Sequence, residues 1–433
     1  MPCRSRIMHA MTTLRGLPAL LLLAAASAVP ASGIEPPRLI GFVRLSAGSI
    51  DAAPTFLDGG FGKLVDGGRS GEDNSNAFLG EARLALDWEL AAGWGLFLHG
   101  VARQDAASRD SSSGSGLLEA FAERRFEGEW HLWTLRAGQF FLPASRENVG
   151  SLWTSPYTLT LSAMNSWIAE EIRPIGLDLA YTHTFTNDHR LQLAGTVFGG
   201  NDTSGTLLAW RGFSFHDRPT PTGRFVPLPP FKGFDEQFPK QTHEGTRAFG
   251  SDLDGRPGYA GRARWSAPDN RAVIQATAFL NRGDRDIHGE EYAWETDFRW
   301  LSVETALPAG LRLLGEWGTG TSRMGFAPSG QRSDAAVDIS FDTFYLLLTR
   351  EWGALRATVR YDDFRVEDRD STALDDNREE GRAWTLALML PMGEHWRAAV
   401  EALDLEADRP AARRSGSPPL DGDSVRAELR FVF

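Results

Sequence analysis

Cysteine is almost missing from this chain: one residue, Cys3, in 433, so no disulfide can form within it. Lysine is nearly as scarce, with Lys63, Lys232 and Lys240 the only three. Beyond residue 31 no apolar run approaches the roughly 20 residues that a membrane-crossing helix needs. A surplus of basic residues is also lacking. The net charge is -12, and about -15 without the three arginines of residues 1–28, which argues against nucleic acid as a partner. The nine histidines show no metal-ligand spacing. Gly59-Gly60-Phe61-Gly62 lacks the following Lys-Ser/Thr and the strand–helix setting of a phosphate loop. No metal or cofactor is therefore expected. His99 and Asp178 are placed for a polar wall, but no serine–histidine pairing is singled out by periodicity, so an enzyme is not expected either.

Aromatics, by contrast, are plentiful. Fourteen Trp and twenty-six Phe sit in a chain of mean hydropathy -0.28. A chain that is polar on average yet aromatic-rich fits strands that alternate between an apolar and a wet face.

The first residues have the marks of an export signal. Arg4, Arg6 and Arg15 form a basic region, Leu17 to Ala28 an apolar run, and Ala26-Ser27-Ala28 a small-residue cleavage site. Residues 1–28 are expected to be a cleaved signal peptide and residues 29–433 one domain.

Period-2 alternation recurs about sixteen times. The cleanest case is Phe78–Leu90: Phe78, Ala82, Leu84, Leu86, Trp88 and Leu90 face one way, and Glu81, Arg83, Asp87 and Glu89 the other. Most segments run about ten residues, enough for a tilted strand to cross a bilayer. The connections alternate strictly in length. Short turns at Ala91–Gly93, Glu127–Glu129, Asn187–His189, Ala267–Asn270, Pro308–Gly310, Trp352–Gly353 and Pro391–Glu394 separate long loops, among them Leu142–Pro174 and Gly200–Gly258. A soluble sandwich has no reason to sort loop length by parity. A transmembrane antiparallel β-barrel does, with short periplasmic turns and long external loops. The expected fold class is thus all-β, a barrel of about 16 strands. Eighteen would result if Thr206–Phe215 and a partner near Phe225 were strands, but Pro219, Pro221, Pro227, Pro229 and Pro230 favour a loop.

The last segment, Val425 to Phe433, alternates Val425, Ala427, Leu429, Phe431 and Phe433 with Arg426, Glu428 and Arg430. It resembles the C-terminal strand of bacterial outer-membrane barrels. That resemblance implies Phe431 and Phe433 as the signal read by the barrel assembly machinery, and the outer membrane, with its lipid and lipopolysaccharide, as the location.

Leu142–Pro174 is less polar than a surface loop. Trp153, Tyr157, Leu159, Leu161, Met164, Trp167 and Ile168 need burial, and the lumen of a sixteen-stranded barrel has room for a folded loop. Gly138-Gln139, Pro143 and Glu171-Ile172-Arg173-Pro174-Ile175-Gly176-Leu177, within Arg136–Tyr181, are similar to the phosphate-selective (O/P) porin family. The resemblance implies a homotrimer of sixteen-stranded barrels with the third loop folded into the pore. The lysine cluster used by that family for phosphate is not carried over, since the three lysines here are far apart.

An arginine row remains: Arg83, Arg103, Arg125, Arg136, Arg262, Arg264, Arg299 and Arg360 fall on registers read as inward, joined on the loop by Arg146, Glu147, Glu170, Glu171 and Arg173. Guanidinium binds oxyanions bidentately, so such a row can guide anions. Nearly as many inward acids oppose it. The expected function is passive diffusion of small hydrophilic solutes, with at most weak anion selectivity. The alternative is a non-conducting barrel that binds partners through its long loops.

Overall fold

The computed structural model describes residues 36–67, 75–105, 114–236, 238, 241, 245–249, 251–289, 291–326, 334–372 and 374–433. The expected signal peptide and Lys240 lie outside them.

Sixteen strands form one closed antiparallel barrel in chain order. They are β1 (Arg38–Ala52), β2 (Ser75–Ala91), β3 (Trp94–Asp105), β4 (Ser115–Glu127), β5 (His131–Gln139), β6 (Ile175–Thr184), β7 (Arg190–Gly199) and β8 (Gly258–Ser266), followed by β9 (Ala272–Arg282), β10 (Glu295–Ala306), β11 (Leu311–Met324), β12 (Val337–Trp352), β13 (Leu355–Asp368), β14 (Glu379–Met392), β15 (Trp396–Asp408) and β16 (Gly422–Val432). Each strand pairs with the next, and β16 returns to β1, with Val43 opposite Phe431 and Arg44 opposite Arg430. Phe433 continues that seam, its N–H donating to the Gly41 carbonyl at 3.1 Å while the Gly41 N–H donates to the Phe433 carbonyl at 3.0 Å. Closure leaves the barrel itself without an edge strand. Thr206–Phe215 is not a strand; it contains the short helix α2 (Thr206–Trp210).

The sixteen strands and the alternation of short and long connections agree with the sequence expectation. Val43, Leu45, Leu98, Leu179, Leu193, Ile274, Leu301, Leu346, Leu386, Val400 and Val425 are all exposed on the outer face. Trp94, Trp130, Trp352 and Trp396 stand exposed beside the short turns. An aliphatic belt with aromatic residues at its rim is the surface that lipid covers.

Two glycines draw the wall tight where residues 140–174 leave it. Gly138 on β5 lies directly opposite Gly176 on β6. A Cβ on Gly138 would meet the Ala120 carbonyl oxygen at 2.2 Å, and one on Gly176 the Val197 carbonyl oxygen at 2.1 Å. Gly138 also has a φ of +134°, which side-chain-bearing residues rarely adopt. Gly138→Ala is expected to destabilise the barrel by ~1–3 kcal/mol, read as a lower denaturant midpoint of the refolded protein; an unchanged midpoint would contradict this packing.

Candidate functional site: the lumen and the loops folded into it

Residues 140–174 turn inward from β5 and cross the lumen. The base is closed by the Phe140 N–H donating to the Pro174 carbonyl at 3.2 Å. Irregular backbone inside a barrel must find partners for its polar groups, and the far wall supplies them strand by strand. On β9, Gln275 Nε2 donates to the carbonyls of Pro143 at 2.8 Å and Ala144 at 2.7 Å. On β11, Glu316 accepts from Ser145 Oγ at 2.8 Å and from the Arg146 N–H at 2.5 Å. On β15, Glu401 accepts from the N–H groups of Leu159 at 2.5 Å and Thr160 at 3.1 Å. On β13, Asp362 accepts from the Ala163 N–H at 3.3 Å.

Arg360 is the centre of this suspension. Its side chain is fully buried. It donates to Glu147 at 2.8 Å, Asp362 at 2.7 Å, and the carbonyls of Thr160 at 2.7 Å and Leu161 at 3.2 Å. Glu147 in turn accepts from the Ser162 hydroxyl and from Asn165 Nδ2, both at 2.7 Å. Ser162 caps helix α1 (Ala163–Glu171), its hydroxyl accepting from the Asn165 N–H.

The described residues between 200 and 257 close over this layer. Arg211 binds Glu170, and His216 Nε2 lies 3.2 Å from the same carboxylate. The arginine and histidine hold Glu170 down at about 2 despite burial. Glu171 differs: it accepts from Trp167 Nε1 at 2.6 Å and the Leu207 N–H at 3.1 Å, and burial pushes its carboxyl up to about 7. Arg173 donates to the Thr220 carbonyl and lies 3.8 Å from the centroid of the Phe249 ring. From the first long loop, Lys63 reaches Glu379 at 2.9 Å and the Arg211 carbonyl at 2.8 Å. Trp167, Trp210, Phe213, Phe215 and Phe249 are buried together against wall residues Phe279, Phe298, Phe341 and Phe364. The long-loop half of the lumen is therefore an apolar core rather than water.

That core explains where inward registers were misassigned. Alternation separates two faces but does not say which one looks into the lumen once the lumen itself is apolar. On β10, Phe298 and Trp300 turn inward and are buried, while Arg299 is exposed on the outer face with Leu301 and Val303. Arg299 is thus not on the lumen wall. Asp342 and Arg382 are likewise on the outer face.

The other expected residues do face the lumen or lie in the inserted loops. Arg83 and Arg103 both bind Glu81, at 2.8 and 2.6 Å. Arg83 also donates to the carbonyls of Asp217 and Leu152. Arg262 forms a bidentate pair with Asp178. Arg125 and Arg136 share Glu123. Arg146 and Arg312 share Glu304. Arg264 donates to the Ser266 hydroxyl at 3.2 Å. His99 lies 3.0 Å from Glu119. Asp217, Arg211, Glu379 and Arg409 were not anticipated. The signal available in the sequence was the Pro- and Phe-rich composition of residues 200–258, which needs burial as much as the third loop does.

No family model matches the chain, and no curated protein matches its sequence. Among solved structures, it is similar to the outer membrane channel DcaP of Acinetobacter baumannii, at 12% identity over 94% of this chain and 99% of that one, with a TM-score of 0.55. It is also similar to OmpF of Salmonella typhi in complex with daunomycin, at 10% identity over 92% and 98% of the two chains, TM-score 0.51. At these identities the likeness shows a shared sixteen-strand barrel fold.

Arg360→Met is expected to cost ~3–5 kcal/mol, because Glu147 and Asp362 would stay buried without their cation; equilibrium unfolding in denaturant measures it, and a loss under 1 kcal/mol would refute the central role given to Arg360. A second expectation concerns pH. The Glu171 carboxyl sits above its ordinary 4.5, so the packed loop favours its neutral form. That contribution is complete below about pH 4.5 and fades as pH rises through about 7. Hydrogen exchange of the Leu207 amide should quicken between pH 5 and 8, beyond the intrinsic rate change, and Glu171→Gln should flatten the trend.

Proposed function

We propose that this chain is an outer-membrane porin-type channel through which small hydrophilic solutes diffuse passively. The observation that carries the proposal is residues 140–174 laid across the lumen and hydrogen-bonded to the opposite wall, with half-exposed polar wall left beside them. Toward the short turns, the lumen-facing side chains of Glu123, Thr134, Arg136, Thr182, Gln192 and Arg264 are only partly buried, so water reaches that part of the barrel. The inserted loops narrow the passage and set its field. In this orientation the long loops are external and the short turns periplasmic.

Selectivity for anions is the finer proposal. The short-turn half of the lumen carries Arg125, Arg136, Arg146, Arg264, Arg312, Arg356 and Arg397. Their ion pairs draw on Glu123, Glu304, Glu351 and Glu428, with Glu351 directly opposite Arg356 on the same face of the wall. A guanidinium surplus favours anions near the wall. Phosphate specificity is not part of the proposal: Lys63 is buried in an ion pair with Glu379, and the sequence has only two other lysines, Lys232 and Lys240. Assembly as a homotrimer, a lipopolysaccharide surround and recognition of Phe431 and Phe433 by the barrel assembly machinery complete the proposal.

A second proposal is supported by the apolar core around Trp210 and Phe213. A mouth packed like a protein interior favours a barrel that stays shut and displays its long loops for binding.

Single-channel recording in planar bilayers separates the two. The porin gives discrete steps, a reversal potential of anion sign in a KCl gradient, and several-fold larger steps once residues 148–168 are replaced by a short Gly-Ser linker. Silence from folded wild-type protein, with steps only after shortening residues 206–236, would favour the shut barrel and sink passive diffusion.

A further inference from the structure

Toward the long-loop end, the outer face of β12, β13 and β14 is layered. Leu346, Leu386 and Leu388 belong to the exposed aliphatic belt. Beyond them Phe344, Tyr361 and Trp384 form an aromatic row, with neighbouring ring centroids 5.9 and 4.9 Å apart. The same face then carries Arg382 and, further out, Arg365. Arg382 holds Glu406 through Nε at 2.9 Å, and Arg365 holds Glu367 at 3.1 Å. That order matches a lipid leaflet met from its middle: acyl chains, interface, charged headgroups.

Arg365 borders a cleft of about 760 Å³, whose other cations are Arg378, Arg413 and Arg414. Arg378 lies in the connection between β13 and β14. Arg413 and Arg414 end a short helix (Pro410–Arg414) whose Ala411 and Ala412 are buried in the lumen core, which fixes both guanidiniums at the rim. Asp376, its side chain only 9% exposed, draws Arg378 and Arg414 together, each at 2.8 Å. Arg378 uses Nε and Nη2 for this and leaves Nη1 outside these bonds. Two guanidiniums on one carboxylate carry a net positive charge and keep N–H donors in reserve. The acids that line the cleft are engaged in turn. Glu379 turns inward to Lys63 and Arg409, and Asp368 accepts from the N–H groups of Asp370 and Asn377. Asp408 binds Arg413, and Glu380 lies opposite Arg365. Exposed pairs of this kind are worth little, so a phosphate can share or displace them.

We propose that this cleft binds the phosphorylated sugar headgroup of an outer-leaflet glycolipid, with Arg378 and Arg414 clamping one phosphate and the acyl chains lying along the belt beneath. Guanidinium bonds phosphate oxygens in a fixed two-pronged geometry. A free sugar phosphate offers the same chemistry, but the belt and the aromatic row lead without a break into the cleft, which favours the lipid-borne form. The lipid source rests on the orientation proposed above, with the long loops external.

Native mass spectrometry of the full-length refolded barrel in detergent, titrated with bisphosphorylated lipid A, is the test. Wild type should hold one lipid A saturably, and fully dephosphorylated lipid A about tenfold more weakly. Arg378→Gln combined with Arg414→Gln should lose about tenfold in affinity. Arg365→Gln combined with Arg413→Gln should do the same, and serves if the first pair fails to fold. Arg299→Gln, three strands away on the outer face, should stay within twofold. Absence of saturable binding, equal binding of the two lipids, full affinity in a folded double variant, or displacement of lipid A by equimolar inorganic phosphate would each overturn the proposal. Ser371→Cys, exposed in the same connection, reads the orientation separately, and labelling by an impermeant maleimide in intact cells is expected. Labelling only after lysis would overturn the external orientation and the lipid source with it, whereas loss of lipid A binding alone would leave the channel proposal standing.

Discussion

The structure depends on satisfying the backbone of a loop that has been taken out of water. A strand in the wall completes its hydrogen bonds with its neighbours, but residues 140–174 have little regular structure beyond α1. Their amides and carbonyls meet Gln275, Glu316, Arg360, Asp362 and Glu401 instead. Buried charge is costly unless paired and hydrogen-bonded. Here each charge is matched twice, once by an opposite charge or polar side chain and once by loop backbone. Without the loop those wall groups would need water; without the wall groups the loop would not stay inside.

This arrangement divides the lumen into two chemical regions. Toward the long loops, three inserted segments bury aromatic side chains against an aromatic wall, and the barrel there behaves as a container for a small hydrophobic core. Toward the short turns the wall is polar and half-exposed, and guanidinium groups outnumber carboxylates. Between the two regions lies a packed layer held by ion pairs such as Arg211–Glu170 and Lys63–Glu379.

Much of this was legible beforehand. Strand count followed from alternation, since lipid outside and an ordered interior impose a period of two on every strand. Loop parity followed from closure of the barrel. The inward path of Leu142–Pro174 followed from its apolar side chains, which had no other place to go. The face of β10 was misread because the rule that apolar residues face lipid fails where the lumen holds an apolar core; Phe298 obeys the core, and Arg299 is turned outward as a result. The arginine row was legible as residues but not as chemistry. Arg83, Arg103, Arg262 and Arg360 are each tied to a specific carboxylate, and pairing across strands depends on register.

By itself, then, the sequence determined the local and periodic features: sixteen alternating strands, sorted connections, and a third loop too apolar for the surface. These depend on neighbours a few residues apart and on the solvent at each face. Only the tertiary structure decided that Glu401 meets Leu159, that Glu379 gathers Lys63 and Arg409, and that Trp210, Phe213 and Phe215 enter the lumen as a second layer. Those contacts join residues tens to hundreds of positions apart. Charge and hydrogen bonding act over a few ångströms, so their partners are fixed by closure of the barrel and not by spacing along the chain.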